Sequence, residues 1–271
     1  MSPNTKRRSE YSPSTTVSRR RVIGGAGAFA AIAALPYVVA DAAQEVSVGM
    51  RAYTAIFPGG DGIEFDHEYY RDQHLAAMQR LYGAALARVE MRKPVVAAGD
   101  PTSRYAAIVN FWIPDPELFA KASAAHGQTL VQDKARFTNS EQKVQSEEVF
   151  GEVGKPASAI RAGDRCLTVL YPLDPAARFD YEYYRDHHMA SLIELFGAEA
   201  ISRMEIRKAL TSADGRNPPL YACTANIYVG DSQLFAAAAS RNHQRIVDDI
   251  PRFSSVGPIS VMTEVLGAFD A

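Results

Sequence analysis

Phe65-Asp-His-Glu-Tyr-Tyr-Arg-Asp-Gln-His74 and Phe179-Asp-Tyr-Glu-Tyr-Tyr-Arg-Asp-His-His188 are one ten-residue frame written twice, differing only at His67/Tyr181 and Gln73/His187. A word of that specificity occurring twice signals an internal repeat, and the repeat governs the reading of everything around it.

The flanking elements recur as well. Arg51-Ala-Tyr-Thr-Ala-Ile-Phe57 and Cys166 to Tyr171 are apolar runs that stop at Pro58 and Pro172, which predicts a strand before each word. Asp66 and Asp180 are placed to cap a helix, which Gly83 and Gly197 end. Arg88-Val-Glu-Met-Arg92 and Arg203-Met-Glu-Ile-Arg207 alternate polar and apolar, which predicts a strand with one face in water. Tyr105 to Ile113 and Tyr221 to Val229 are nearly continuous apolar strands covered on both faces. Asp115 and Asp231 open a second helix, and Asp133-Lys-Ala-Arg-Phe137 is echoed by Asp249-Ile-Pro-Arg-Phe253. Glu147 to Val153 and Ile259 to Leu266 close the two units.

The order β-α-β-β-α-β, twice, predicts an α+β fold of two ferredoxin-like repeats, spanning 48–154 and 163–268 with a linker from Lys155 to Gly163. A lone copy leaves one sheet face bare. Two copies in one chain cover each other and give an intramolecular pseudo-dimeric α/β barrel with helices outside, with further dimerisation open.

The N-terminus has another character. Lys6, Arg7, Arg8 and Arg19-Arg20-Arg21 precede an uncharged stretch from Val22 to Ala40, and Ala40-Asp41-Ala42 is a small-x-small cleavage pattern. This predicts an export signal over 1–42, and the paired arginines resemble a twin-arginine (Tat) signal. The expected location is periplasmic or extracellular, through the Tat export machinery. A retained N-terminal membrane anchor is the alternative, disfavoured by the glycines and Pro36. Six of the 29 Lys+Arg and two of the 31 Asp+Glu fall in this segment, so the remainder carries a net charge of −6. That balance, with no basic stripe, excludes nucleic acid as a partner. Cys166 and Cys223 could pair after export or remain buried thiols, and neither has metal-type spacing.

At about 100° per residue, Tyr181, Tyr184, His188, Leu192 and Leu195 share a helix face, as do His67, Tyr70, His74, Met78 and Leu81. His187 falls on the polar side, so the pair His187-His188 is not a metal clamp. His188 and His74 each lie amid apolar residues, which lowers the imidazole pKa and leaves it neutral and fit for general-base work. The catalytic candidates are therefore His188, His74, Tyr184 and Tyr70, each tyrosine orienting its histidine or donating a second proton. Asn226 and Asn110, buried amides that must be paired with structure or ligand, and Tyr221 and Tyr105 are the substrate-binding candidates. Arg71 and Arg185 are expected in salt bridges with acidic neighbours.

The word, the Tyr171-Pro172 strand end, Pro219-x-Tyr221 and Asp231-x-x-x-Phe235 together resemble the EthD-like family of the dimeric α/β-barrel superfamily, across both copies. The first copy departs at Gln73 and in the Gly59-Gly-Asp-Gly62 loop. The resemblance implies a pocket between each sheet and its helices, entered by the word's final histidine. It also implies catabolism of ethers or of aromatic, polyketide-like compounds, loosely an oxidoreductase role, with cofactor-free monooxygenases, cyclases, isomerases and decarboxylases as relatives. The expectation is an enzyme acting on a small hydrophobic molecule without cofactor or metal; a non-catalytic carrier of such a ligand is the alternative. A third reading, a haem protein like the dye-decolorising peroxidases, fails to find the first glycine of their GxxDG motif, where Pro58 stands.

Overall fold

The structure, a computed structural model, describes residues 44–96, 103–213 and 215–270. The expected signal over 1–42 lies outside them. Eight strands are present: β1 (Arg51–Pro58), β2 (Arg88–Pro94), β3 (Tyr105–Ile113), β4 (Lys143–Gly154), β5 (Arg165–Pro172), β6 (Ile201–Ser212), β7 (Tyr221–Val229) and β8 (Ile259–Asp270). They form one closed antiparallel barrel in the order β1-β3-β2-β8-β5-β7-β6-β4. Each half contributes four strands, in the orders β4-β1-β3-β2 and β8-β5-β7-β6. The halves join edge to edge, β2 on β8 and β4 on β6, so among the described residues no barrel strand is left with an open edge.

The two words open the two leading helices, 67–82 and 181–196. Asp66 and Asp180 cap them, accepting the amides of Tyr69 and Tyr183. Gly83 (φ 47°) and Gly197 (φ 86°) end them in a backbone region that side chains disfavour. Neither helix is regularly α. Tyr70–His74 and Tyr184–Met189 are π-helical turns. Positions four apart are neighbours on one helix face. Tyr184 and His188 accordingly stack, with ring centroids 5.2 Å apart at 24°, and the Tyr70 and His74 rings lie 4.8 Å apart.

The long helices, Pro116–Asp133 and Ser232–Phe253, are capped by Asp115 and Asp231. Each pair of helices packs on the outside of its own half, forming two apolar cores around Phe137 and Phe253. The amides of Asp66 and Asp180 donate to the carbonyls of Phe137 and Phe253, 2.7 Å in each half, which ties the word to the Asp-x-x-Arg-Phe echo.

The barrel interior overturns one expectation. The polar faces of β2 and β6 do not meet water: Arg88, Glu90, Arg92, Arg203, Glu205 and Arg207 are all buried. Closure of the barrel turns the face that would be wet on an open sheet into an interior, and burial of charge there demands partners. Those partners come partly from the same strand, where Glu90 pairs with Arg88 and Arg92 and Glu205 with Arg203 and Arg207, and partly from the opposite half. Arg207 reaches Asn110 Oδ1 (2.8 Å) and Arg92 reaches Asn226 Oδ1 (2.9 Å). Trp112 donates to Glu205 (3.0 Å) and Tyr228 to Glu90 (2.9 Å). The linker closes one barrel mouth, its Ile160 and Lys155 carbonyls accepting from Arg88 and Arg203.

The symmetry breaks at two points. Glu147 binds Thr54, Gln145, Arg207 and Thr224, while Thr263 occupies the corresponding place on β8. Arg92 instead contacts the Cys166 thiol, which burial pushes up to about 11. Cys166 faces the barrel interior and Cys223 packs in the outer core, so the sheet separates them and both are free thiols.

Candidate functional site

Each half builds the same dyad from distant segments. His74 Nδ1 lies 2.9 Å from Asp133 Oδ2, and His188 Nδ1 lies 2.8 Å from Asp249 Oδ2. The other carboxylate oxygen accepts from a tyrosine of the word, Tyr69 (2.8 Å) or Tyr183 (2.9 Å). That hydroxyl in turn accepts from Arg136 or Arg252, 3.2 Å in each half. With Nδ1–H donated to a carboxylate, the tautomer assigned by the network leaves Nε2 as the acceptor. Neither Nε2 has a hydrogen-bond partner among the described residues.

Burial lowers the pKa of His74, and Asp133 recovers part of that shift; the net position is below the ordinary histidine value. His188 with Asp249 behaves alike. Burial also works against charge on Asp133, but the histidine and tyrosine bonds prevail and hold it below the usual carboxylate range. The orienting group is thus Asp133 or Asp249. Tyr70 and Tyr184 were expected to orient the histidine or to donate a second proton; neither hydroxyl bonds the imidazole, and the rings lie against it, tilted for Tyr70 and stacked for Tyr184. The aspartates carried a sequence signal, the repeated Asp-x-x-Arg-Phe, but only the fold brings it to the word.

The halves differ in the space before the histidine. The first cavity is about 640 Å³, lined by Tyr53, Ala55, Tyr70, His74, Met78, Phe119 and Lys134 among others. The second is about 110 Å³, lined by Val169, Tyr171, Tyr184, His188, Phe196, Phe235 and Ile250 among others. Small-molecule sites run to roughly 300–1,000 Å³, so of the two cavities beside a histidine the first has that capacity. The corresponding residues explain the difference: Ala55 faces Val169 in the alignment, Gly127 faces His243, and Lys134 faces Ile250. Tyr171 packs edge-on against Tyr184, centroids 5.5 Å apart, and Phe57 stands at that place against Tyr70 in the first half, 6.0 Å away. The Tyr70 hydroxyl has no hydrogen-bond partner among the described residues, and burial raises its pKa well above the ordinary value, so it stays protonated.

The other expected site residues lie elsewhere. Asn110 and Asn226 point into the barrel, where they receive the arginines, and do not reach either cavity. Tyr105 and Tyr221 meet hydroxyl to hydroxyl at 3.2 Å and close the apolar end of the barrel with Ile56 and Leu170. His187 is exposed, as its helical position predicts. Arg71 and Arg185 pair with the adjacent Asp72 and Asp186, both at 2.6 Å. His67 and Tyr181, one of the two variable positions of the word, do the same work: each bonds a β3 or β7 carbonyl, Ala106 or Ala222, at 2.9 Å. Among the described residues no group of three or more His, Cys, Asp or Glu is arranged to hold a metal ion.

Residues 63–141 match the family model of the EthD domain. The match falls on the first half, whose word has Gln73 where the second has His187. Among solved structures, an EthD-like protein from Ralstonia eutropha JMP134 is 26% identical over 38% of this chain and 92% of its own, with a TM-score of 0.36. An anthrone oxidase-like protein is 9% identical over 84% of this chain and 96% of its own, with a TM-score of 0.52. A candidate monooxygenase from Fusobacterium nucleatum is 8% identical over 83% of this chain and 96% of its own, with a TM-score of 0.53. The last two share the barrel fold. Among curated protein sequences none matches the chain.

Proposed function

We propose that the chain is a proton-transfer enzyme acting on a small hydrophobic, aromatic or oxygenated compound, an oxidoreductase of the EthD type or a related lyase or cyclase, and that the first half does the chemistry. One observation carries the reading: His74, held through Nδ1 by Asp133 at 2.9 Å and without a bonded partner on Nε2 among the described residues, lines a cavity of about 640 Å³. Nε2 would take a proton from an acidic C–H or O–H beside a carbonyl, and Asp133 would share the imidazolium charge. The Tyr70 hydroxyl, protonated and without a partner among the described residues, would donate to the oxyanion that forms. His188 keeps the same dyad in a cavity too small for such a substrate, and is assigned a structural role.

The test is deuterium uptake at the acidic C–H of anthrone, followed anaerobically by NMR. His74→Gln is expected to slow exchange by about 10²-fold or more, the usual worth of a general base, while His188→Gln leaves it within about threefold. Equal effects at both, or none at His74, refute the assignment. An absorption spectrum and mass spectrum of natively purified protein separate this reading from a ligand carrier or a haem protein.

Two further parts of the reading rest on the sequence. Residues 1–42 are proposed to be a Tat signal that delivers the protein to the periplasm or beyond. Among the described residues no helix is long and apolar enough to cross a membrane. The two halves are proposed to be a tandem duplication, supported by the twofold element order and by equivalent hydrogen bonds at equivalent positions.

A further inference from the structure

The first cavity has an electrostatic feature that its counterpart lacks. Lys134 lines it, half-buried, and forms no ion pair with any carboxylate among the described residues. The neighbouring acid, Asp133, is already committed to His74, Tyr69 and Arg136. A cation at such a cavity, paired with no carboxylate among the described residues, can receive an anionic group of a ligand by a charge-assisted bond. Ile250 occupies the corresponding place in the second half, where the cavity is almost closed.

The walls add a shape. Phe119 stacks on Tyr53 with centroids 5.4 Å apart at 24°, and lies 5.4 Å from Tyr82. All three line the cavity. Aromatic walls around such a volume suit a flat ring system better than a branched chain. In the second half Leu167 replaces Tyr53, and Phe235 is itself buried in the core.

We propose that the first-half cavity is a site for one planar aromatic ligand carrying an anionic oxygen group, which Lys134 receives. This rests on the reading of that cavity as the working site, and it specifies the substrate class.

Two dyes of one skeleton test it: 8-anilinonaphthalene-1-sulfonate, which is anionic, and N-phenyl-1-naphthylamine, which is neutral. Both are titrated by fluorescence into the full chain. The expected result is one equivalent of either dye. Lys134→Met is expected to weaken the sulfonate about tenfold or more, the range of one charge-assisted bond, and to leave the amine within about twofold. Lys134→Arg should restore the sulfonate. Ser123→Phe, which fills the cavity, should abolish both, with the melting temperature checking that the variant folds. Two equivalents, no saturable binding, or a Lys134→Met effect that is absent or equal for both dyes overturns the proposal. Dye binding is read without turnover. A protein that discriminates the dyes yet fails to exchange anthrone protons therefore refutes the proton-transfer reading and leaves the ligand class standing.

Discussion

Glu205→Gln is a one-atom change at the centre of the barrel, and its cost follows from what the carboxylate holds. Glu205 is fully buried and accepts from Arg207 Nε (2.5 Å), Trp112 Nε1 (3.0 Å) and Arg203 Nη2 (3.2 Å). Burial works against its charge, and Arg207 and Arg203 outweigh it, holding its carboxyl below the usual range. A glutamine offers one oxygen in place of two and turns an N–H toward donors, so at least one of the three loses its partner. Each buried donor left alone costs about 1–3 kcal/mol. The arginines also lose a counter-charge, although Glu147 remains 3.4 Å from Arg207 and Glu152 remains 2.7 Å from Arg203. Breaking a buried ion pair from one side costs about 3–5 kcal/mol, and that range is the expectation. Urea unfolding reads it directly: with a slope of about 3 kcal/mol per molar, the midpoint should fall by at least 1 M. Glu152→Gln, at the more open end, should cost about 1 kcal/mol or less. A Glu205→Gln midpoint within about 0.3 M of the parent, at unchanged slope, would show that the interior is hydrated and that the buried network is misread.

Two other outcomes follow from the same chemistry. Because His74 and His188 titrate below their unfolded value, the unfolded chain binds protons first; their contribution to stability is complete above about pH 6.5 and is lost as pH falls from there through the folded values. Asp133, Asp249 and Glu205, whose folded values are depressed, lose theirs only at lower pH. The melting temperature should therefore drop in two stages on acidification, and the His74→Gln/His188→Gln double variant should lack the upper one. Cys166 and Cys223 should react with a thiol reagent only after unfolding, two equivalents per chain without prior reduction; a disulfide-linked peptide in a native digest contradicts this.

How much was legible depended on whether the signal was periodic or positional. The word, the caps at Asp66 and Asp115, and the helix stops at Gly83 and Gly197 are local, and each sits in the fold as its chemistry dictates. Alternation in Arg88-Val-Glu-Met-Arg92 identified a strand with a polar face, but period two cannot distinguish water from the inside of a closed barrel. The charges themselves held the missing clue, since arginine and glutamate alternating on one face can neutralise each other out of water. Asp133 and Asp249 were visible as an echo, yet their pairing with His74 and His188 spans 59 and 61 residues and needs the tertiary fold. The π-turns left no pattern in composition. The inequality of the two cavities was hidden for another reason: it sums small differences at Ala55, Gly127 and Lys134 that lie on separate elements.

The central claim is a neutral His74 held through Nδ1 by Asp133, with Nε2 free on the larger cavity. It is measured most directly by the imidazole nitrogen resonances of ¹⁵N-histidine-labelled protein across pH, His74 being assigned by its loss in His74→Gln. His74 is expected in the Nδ1-protonated neutral form at pH 7, with a pKa below 6.5 that falls further in Asp133→Asn, where the carboxylate charge that favours the imidazolium is gone. An Nε2-protonated ring, a pKa above 6.5, or a titration indifferent to Asp133→Asn would contradict it.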